Sequence, residues 1–275
     1  MADLTTIILT FDEEKNIANA INSVKNLSKR IVVVDSYSTD KTVEIAESLG
    51  AEVIQHPFEN QAKQFIYAIN NLTINTQWIM RLDADEMISN DAAREIEDIC
   101  LINKNTDING IVVRFEVNFL GKKLRHGGIY PFRKMIVYKK DKGYMEDRAM
   151  DEHIVLKEGK SIELKHDSYH RDYKDLNTWI DKHNKYSSRE VKDYFLNTNL
   201  ENEKLNKSAK IKRFIKFNIY YKLPLGTRAH LYYLYRYYFK MGFLDGKEGK
   251  IFAFMQAYWY RFLVDAKIFE KKNIN

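Results

Sequence analysis

Short apolar runs and helical patterns alternate along the first hundred residues. Buried strands are predicted at 4–9 (LTTIIL), 30–34 (RIVVV), 51–55 (AEVIQ) and 77–82 (QWIMRL), each apolar, rich in β-branched residues and too short for a helix. Between the first two, Ile17, Ala20, Ile21, Val24 and Leu27 recur at helical spacing, and Val43, Ala46 and Leu49 repeat it after the second. Strands alternating with helices, joined by right-handed crossovers, predict an α/β fold with a mostly parallel sheet. After residue 101 the pattern changes. Further strands are predicted at 110–120 and 133–140 with a loop between them, a polar helix at 176–200, and two or three aromatic-rich helices across 211–269. A boundary near Asn202 would separate a domain at 1–202 from a helical extension at 203–275.

Charge sharpens that division. Residues 204–275 hold 16 Lys and Arg against 4 Asp and Glu, whereas the first 203 hold 28 against 34, so the overall +6 conceals a basic tail on an acidic body. The tail also carries 18 of the 36 Phe, Tyr and Trp residues. Basic residues among aromatics also describe single-strand nucleic-acid binders, but no recognition module accompanies the charge, and acidic clusters dominate the first half. No nucleic-acid partner is expected. The lone cysteine, Cys100, lies in an apolar helical pattern and reads as core; it allows no intrachain disulfide, which fits a reducing compartment. The N-terminus lacks a basic segment followed by an apolar stretch, so a cytoplasmic location is expected.

In an open α/β sheet, ligands bind beyond the carboxyl ends of the strands, where strand order reverses. Three polar clusters fall at such ends. The first strand runs into Thr10, Phe11, Asp12 and Glu13, the second ends at Asp35, and the fourth at Asp83, Ala84, Asp85 and Glu86. Residues two apart in extended chain share a face, so Asp83 and Asp85 could aim both carboxylates into the crevice and bind Mg²⁺ or Mn²⁺, which take hard oxygen ligands. A solvated turn leading into a helix near Asn90 is the competing reading. Asp35 could accept a hydrogen bond from a nucleobase or belong to a capping turn; Thr10 and Glu13 stand at capping-box spacing, which makes a helix start their default role. No glycine-rich phosphate loop follows any of these strands, so diphosphate binding would rest mainly on a metal.

Taken in order, TFDEEKNI, VVVDSYSTDKT and RLDADE resemble the family 2 glycosyltransferases, inverting enzymes with the nucleotide-diphospho-sugar transferase fold. The likeness continues through KKLRHGGIYPFRKMIVYKK, DRAMDEHIVLKEG and TWIDKHNKYSSRE. The tail resembles a bacterial branch that assembles lipopolysaccharide core, O-antigen or capsule. The resemblance implies that Thr10, Phe11, Glu13 and Asp35 hold the nucleoside, with Asp35 on a uracil N–H if the donor is a UDP-sugar rather than a GDP-sugar. It implies that Arg81 and Asp83 lie along ribose and diphosphate, and that Asp85 ligates the metal with Asp83 beside it. The catalytic base would be Glu152 of MDEH, with Asp151 as rival; a charged surface loop is the alternative for that segment. His153, His166 and His170 could each contact diphosphate or metal. Asp12 departs from the Asn that relatives often carry.

No tail segment reaches the roughly 18 apolar residues that span a bilayer, and Gln256 and Arg261 interrupt the best run. A helix with aromatics on one side and Lys or Arg on the other lies in an anionic membrane interface, and core packing is the equal alternative. The expected function is transfer of a sugar from a nucleotide diphosphate donor to a lipid-linked or saccharide acceptor on the inner face of the membrane. A sugar-nucleotide pyrophosphorylase and a non-catalytic membrane-associated binding protein are the rivals.

Overall fold

The computed structural model describes residues 1–147, 152–196, 214–215 and 218–273. It contains two compact units, one made of Met1–Asn118 and Pro131–Tyr173, the other of Phe119–Tyr130 and Lys174–Asn275.

The first unit alternates β1 (Ala2–Thr10), α1 (Ile17–Val24), β2 (Ser28–Asp35), α2 (Thr42–Ser48), β3 (Glu52–Gln55), α3 (Gln61–Asn71) and β4 (Trp78–Asp83). The four expected strands are all present. β1 pairs in parallel with both β2 and β4, and β2 with β3, so the order is β3-β2-β1-β4. The chain therefore leaves β1 to one side and later returns on the other, which opens the strand-order crevice at the carboxyl ends of β1, β2 and β4. Beyond β4 the sheet turns mixed, with β8 (Phe132–Lys139) antiparallel to β4 and to β6 (Ile108–Phe119), then β11 (Lys160–His170) parallel to β6 and β5 (Glu86–Met87) at the edge.

Both faces of β1 are covered. Leu4 and Ile8 pack with Ile17, Ile21 and Val24 of α1 and with Ile96 of α4 (Asn90–Ile102), whereas Ile7 and Leu9 pack with Ala62, Phe65 and Ala68 of α3. This two-sided burial explains why β1 reads as continuous apolar sequence rather than as alternation. α4 is capped by Ser89, whose Oγ accepts from Ala92 N at 3.2 Å. Cys100 on α4 is 2% exposed, and burial pushes its thiol up to about 12. Ellman's reagent should therefore leave the folded protein unlabelled and modify one thiol per chain only as it unfolds. Rapid labelling under native conditions would contradict this packing.

The capping box expected at Thr10 and Glu13 does not form. α1 begins at Ile17 after Asn16; Thr10 instead closes β1, and Glu13 accepts through its side chain from Asn16 Nδ2 at 2.7 Å. A bend at 11–12 and one turn at 14–16 separate strand from helix, and capping spacing alone could not register them.

In the second unit, α5 (Leu176–Leu196) packs along α8 (Tyr260–Asn273), with Val191, Tyr260, Val264 and Ile268 buried together. The compact units accordingly part after Tyr173 rather than at residue 202, because the polar-looking α5 buries its apolar stripe on the C-terminal helix. α6 (Thr227–Leu234) continues as a π-helical stretch to Phe239, and α7 (Gly246–Phe252) runs through another, Ala253–Trp259, into α8. Here aromatics do serve as core in part: Tyr260 OH donates to Glu190 Oε2 at 2.7 Å, and Arg261 Nη1 lies 2.7 Å from Glu190 Oε1. Arg228 and Asp265 form a second buried pair. Among the described residues no helix is long and apolar enough to cross a membrane.

Candidate active site

The carboxyl ends of β1 and β2 form one polar nest. Thr10 Oγ1 donates to Asp35 Oδ1 at 3.1 Å, Ser38 N to Asp35 Oδ2 at 2.9 Å, and Gln55 Nε2 to the same oxygen at 3.2 Å. Asp35 is thus a fully buried turn-former whose carboxylate is already well supplied with donors. Asp12 holds φ 51° while its Oδ1 accepts from Thr39 N at 2.8 Å. Asp and Asn are the side chains that tolerate this left-handed backbone, which accounts for Asp in an Asn-like position. Tyr37 also has a left-handed φ, 60°, and it is exposed, as is Phe11. A bulky residue in that region is an outlier that strains the backbone, and together with its exposure it makes Tyr37 a candidate for the site. Sequence reading missed Tyr37, because strain is invisible without a backbone.

At the end of β4 the solvated-turn reading of DADE fails. Asp85 is 9% exposed, and Ala84 and Glu86 are more deeply buried. Asp83 closes the strand, whereas Ala84 and Asp85 form a turn before β5, so the extended-chain argument for two parallel carboxylates does not apply. The two acids meet different partners. Lys134 Nζ lies 2.5 Å from Asp83 Oδ2 and 3.0 Å from Glu86 Oε1, and Arg81 Nη2 lies 3.3 Å from Asp83 Oδ1. Asp85 faces His170, whose Nε2 is 3.3 Å from Oδ2.

Arg81 is the hub. Nearly enclosed, its Nη2 donates to Glu152 Oε1 at 3.1 Å and to Gln61 Oε1 at 3.2 Å as well as to Asp83. Glu152 sits between β9 (Gly143–Met145) and β10 (Ile154–Leu156), and this ion pair brings it against the end of β4, 71 residues away in sequence. A solvated charged loop is therefore not what Glu152 belongs to: its side chain is 11% exposed. Asp151, its rival, lies outside the described residues.

The electrostatics follow from burial opposed by pairing. Burial raises the Asp83 carboxyl, but Arg81 and Lys134 outweigh it and hold the group down at about 2. For Glu86 burial prevails over Lys134, and its pKa rises. Burial works against both cations, yet Asp83, Glu86 and, for Arg81, Glu152 keep them above their ordinary values. Lys134 and Gln61 are functional candidates that sequence reading did not find; the only signal was a lysine inside an apolar strand, next to Met135, Ile136 and Val137.

The donor set divides accordingly. Asp83 is neutralised by cations already present, so it is a poor first ligand for a metal. Asp85 offers the hard carboxylate oxygen that suits Mg²⁺ or Mn²⁺ when phosphates and water complete the shell, and the imidazole of His170 beside it is a donor that Mn²⁺ accepts more readily than Mg²⁺. Among the described residues no cage of three or more acidic, His or Cys side chains forms. His153 N donates to Glu146 Oε2 at 3.2 Å, and His166 Nδ1 lies 2.9 Å from Glu95 Oε2 on α4.

Residues 5–150 match the model of glycosyl transferase family 2. An uncharacterized glycosyltransferase of Rickettsia typhi (strain ATCC VR-144 / Wilmington) is 29% identical over 98% of this chain and 88% of its own length. One from Rickettsia prowazekii (strain Madrid E) is 43% identical over 36% of this chain, and the glycosyltransferase SunS of Bacillus subtilis (strain 168) 30% over 43%; these matches span only 33% and 28% of those proteins. Among solved structures, glucosyl-3-phosphoglycerate synthase from Mycobacterium tuberculosis, in complex with Mn²⁺, UDP and glucosyl-3-phosphoglycerate, aligns with a TM-score of 0.34 at 17% identity, over 42% of this chain and 44% of that one.

Proposed function

The chain belongs to glycosyl transferase family 2 and has the mixed α/β fold of nucleotide-diphospho-sugar transferases, and from that premise we propose that it inverts a sugar from a UDP-sugar onto a lipid-linked saccharide of a bacterial surface polymer. One observation carries the reading: a near-buried carboxylate, Glu152, is held by Arg81 beside the acidic turn that ends β4, where an α/β sheet receives its ligand. Chemistry needs both parts, a base for the acceptor and charge compensation for the leaving nucleotide.

Glu152 takes the proton from the acceptor hydroxyl as that oxygen attacks the anomeric carbon from the face opposite the nucleotide. The bond from that carbon to the diphosphate oxygen breaks, and the electron pair leaves with the nucleotide. Asp85, with His170 beside it, would hold Mg²⁺ or Mn²⁺, which would supply charge neutralisation for the departing diphosphate. Arg81 and Lys134 hold Asp83 and Glu152 in place from the protein side. Thr10 steadies Asp35 in the nucleoside nest, Glu13 holds the adjoining turn through Asn16, and the exposed rings of Phe11 and Tyr37, next to Thr10 and two residues past Asp35, are the groups that would cover the base.

Stacking on an aromatic ring contributes roughly 1–3 kcal/mol per base. Tyr37→Ala should therefore raise KM for the donor by about tenfold with kcat little changed. An unchanged KM would remove Tyr37 from the nucleoside subsite.

The reaction is tested by incubating the protein with UDP- and GDP-sugars, a lipid-linked saccharide and Mn²⁺, and by measuring released nucleotide. Release of UDP, suppressed by chelator, is expected. Pyrophosphate formation would show a pyrophosphorylase, and no turnover of any donor a binding protein. Calorimetry on Asp85→Ala should show nucleotide affinity that Mn²⁺ no longer increases; an intact Mn²⁺ effect would exclude Asp85 as a ligand.

A further inference from the structure

The second unit presents a corner that a water-soluble surface does not explain. Between the π-helical end of α6 and the start of α7 lie Tyr235, Tyr238, Phe239, Met241, Phe243 and Leu244, all exposed, with Phe239 at 80%. Large apolar side chains scattered singly are ordinary, but six within ten residues form a patch. Nor is this a loose loop. Gly127 N donates to Lys240 O at 2.7 Å, Arg236 Nε donates to Gly127 O, and Asp245 Oδ2 accepts from Arg125 N and His126 N at 3.0 and 2.8 Å. Gly242 is packed so closely that a Cβ would come within 2.9 Å of Arg236 O, and Met241 turns the corner at φ 57°. Partly buried polar bonds thus fix the backbone while the apolar side chains remain exposed. The fold invests in their exposure.

Charge indicates what covers them. Lys240, Lys247 and Lys250 are exposed around the patch; of the nearby acids, Asp245 is buried on His126 and Glu248 is paired with Lys122 at 3.2 Å. Lys240 Nζ lies 5.6 Å from the Tyr235 ring, the aromatic and cationic mixture that sits at headgroup level. A second copy of this chain would bring the same lysines against each other, and an apolar protein partner would leave them unmatched. We propose that the Tyr235–Leu244 corner is a preformed wedge that inserts its aromatic side chains into the interface of an anionic bilayer, with Lys240, Lys247 and Lys250 on the lipid headgroups. For its purpose, reaching an acceptor carried on lipid, this rests on the function proposed above; its physics does not.

The full chain is floated with phosphatidylcholine vesicles, with and without phosphatidylglycerol, at low and high salt. Capture by the anionic vesicles, weakened by salt, is expected. Phe239→Ser/Phe243→Ser/Leu244→Ser and, separately, Lys240→Glu/Lys247→Glu/Lys250→Glu should each lower it at least tenfold while leaving donor binding unchanged. The lysine variant alters only exposed side chains and decides the matter if the serine variant fails to fold. Failure of the wild-type chain to float, capture of the folded variants equal to wild type, or a dimer that these substitutions dissolve would overturn the proposal. A chain that floats but turns over no nucleotide sugar would sink the proposed reaction and spare the wedge; one active on a soluble saccharide yet indifferent to vesicles would do the reverse.

Discussion

Glu152→Gln is expected to lower kcat by about a thousandfold while donor affinity stays within about twofold, because general-base catalysis contributes roughly 10²–10⁴ and Gln cannot accept the proton. The substitution keeps the shape and one acceptor oxygen, so Arg81 Nη2 retains a partner at the position Glu152 Oε1 now occupies, 3.1 Å away. Donor binding is thereby separated from turnover: Asp35 at the ends of β1 and β2 is held by Thr10, Ser38 and Gln55, not by Glu152. The measurement is single-turnover transfer with saturating UDP-sugar, alongside calorimetric affinity for the same donor. A variant with wild-type turnover would move the base to Asp151; one that loses donor affinity as well would make Glu152 a binding group.

Arg81→Met should reduce both stability and turnover, for one electrostatic reason. Arg81 is the guanidinium shared by Asp83 and Glu152, and its side chain is almost wholly enclosed. Removing one member of a buried charge network costs about 3–5 kcal/mol, since the acids left behind stay desolvated. For a chain of this size that corresponds to a melting temperature lowered by roughly 10 °C. The methionine fills much of the same volume, so the loss reports charge rather than a cavity. Activity in the surviving folded fraction should fall chiefly through kcat, because Glu152 loses the contact that orients it, whereas donor KM should stay nearly unchanged if the nucleoside subsite proposed at Tyr37 is the right one. Arg81→Lys should recover stability more than activity, as a lysine keeps the charge but cannot donate to Gln61, Asp83 and Glu152 from one planar group. A melting temperature unchanged in Arg81→Met would mean that the acids protonate or find water, and that the hub is dispensable.

What could be read without coordinates was whatever depends on neighbours along the chain. The four strands, α1, α2, the α/β class and Cys100 as core all follow from runs and periods, since burial on one or both faces imposes those periods locally. The acidic ends of β1, β2 and β4 were legible for the same reason: a strand must end somewhere, and its last residues lie in the crevice. β11 escaped notice because it is largely polar and exposed along its first half, so although His170 stood among three candidate histidines, only the strand pairing singled it out as the one facing Asp85. Only tertiary structure decided which partners the acids take. Lys134 reaches Asp83 across 51 residues and Glu152 reaches Arg81 across 71, through strand pairings whose register no local pattern encodes. Exposure of the Tyr235–Leu244 corner was likewise undecidable from composition, because an aromatic at helical spacing serves core or surface equally well until the backbone sets its direction. The sequence by itself determined where polar chemistry could gather; long-range packing in a low-dielectric interior determined which charges cancel and which remain available for a substrate.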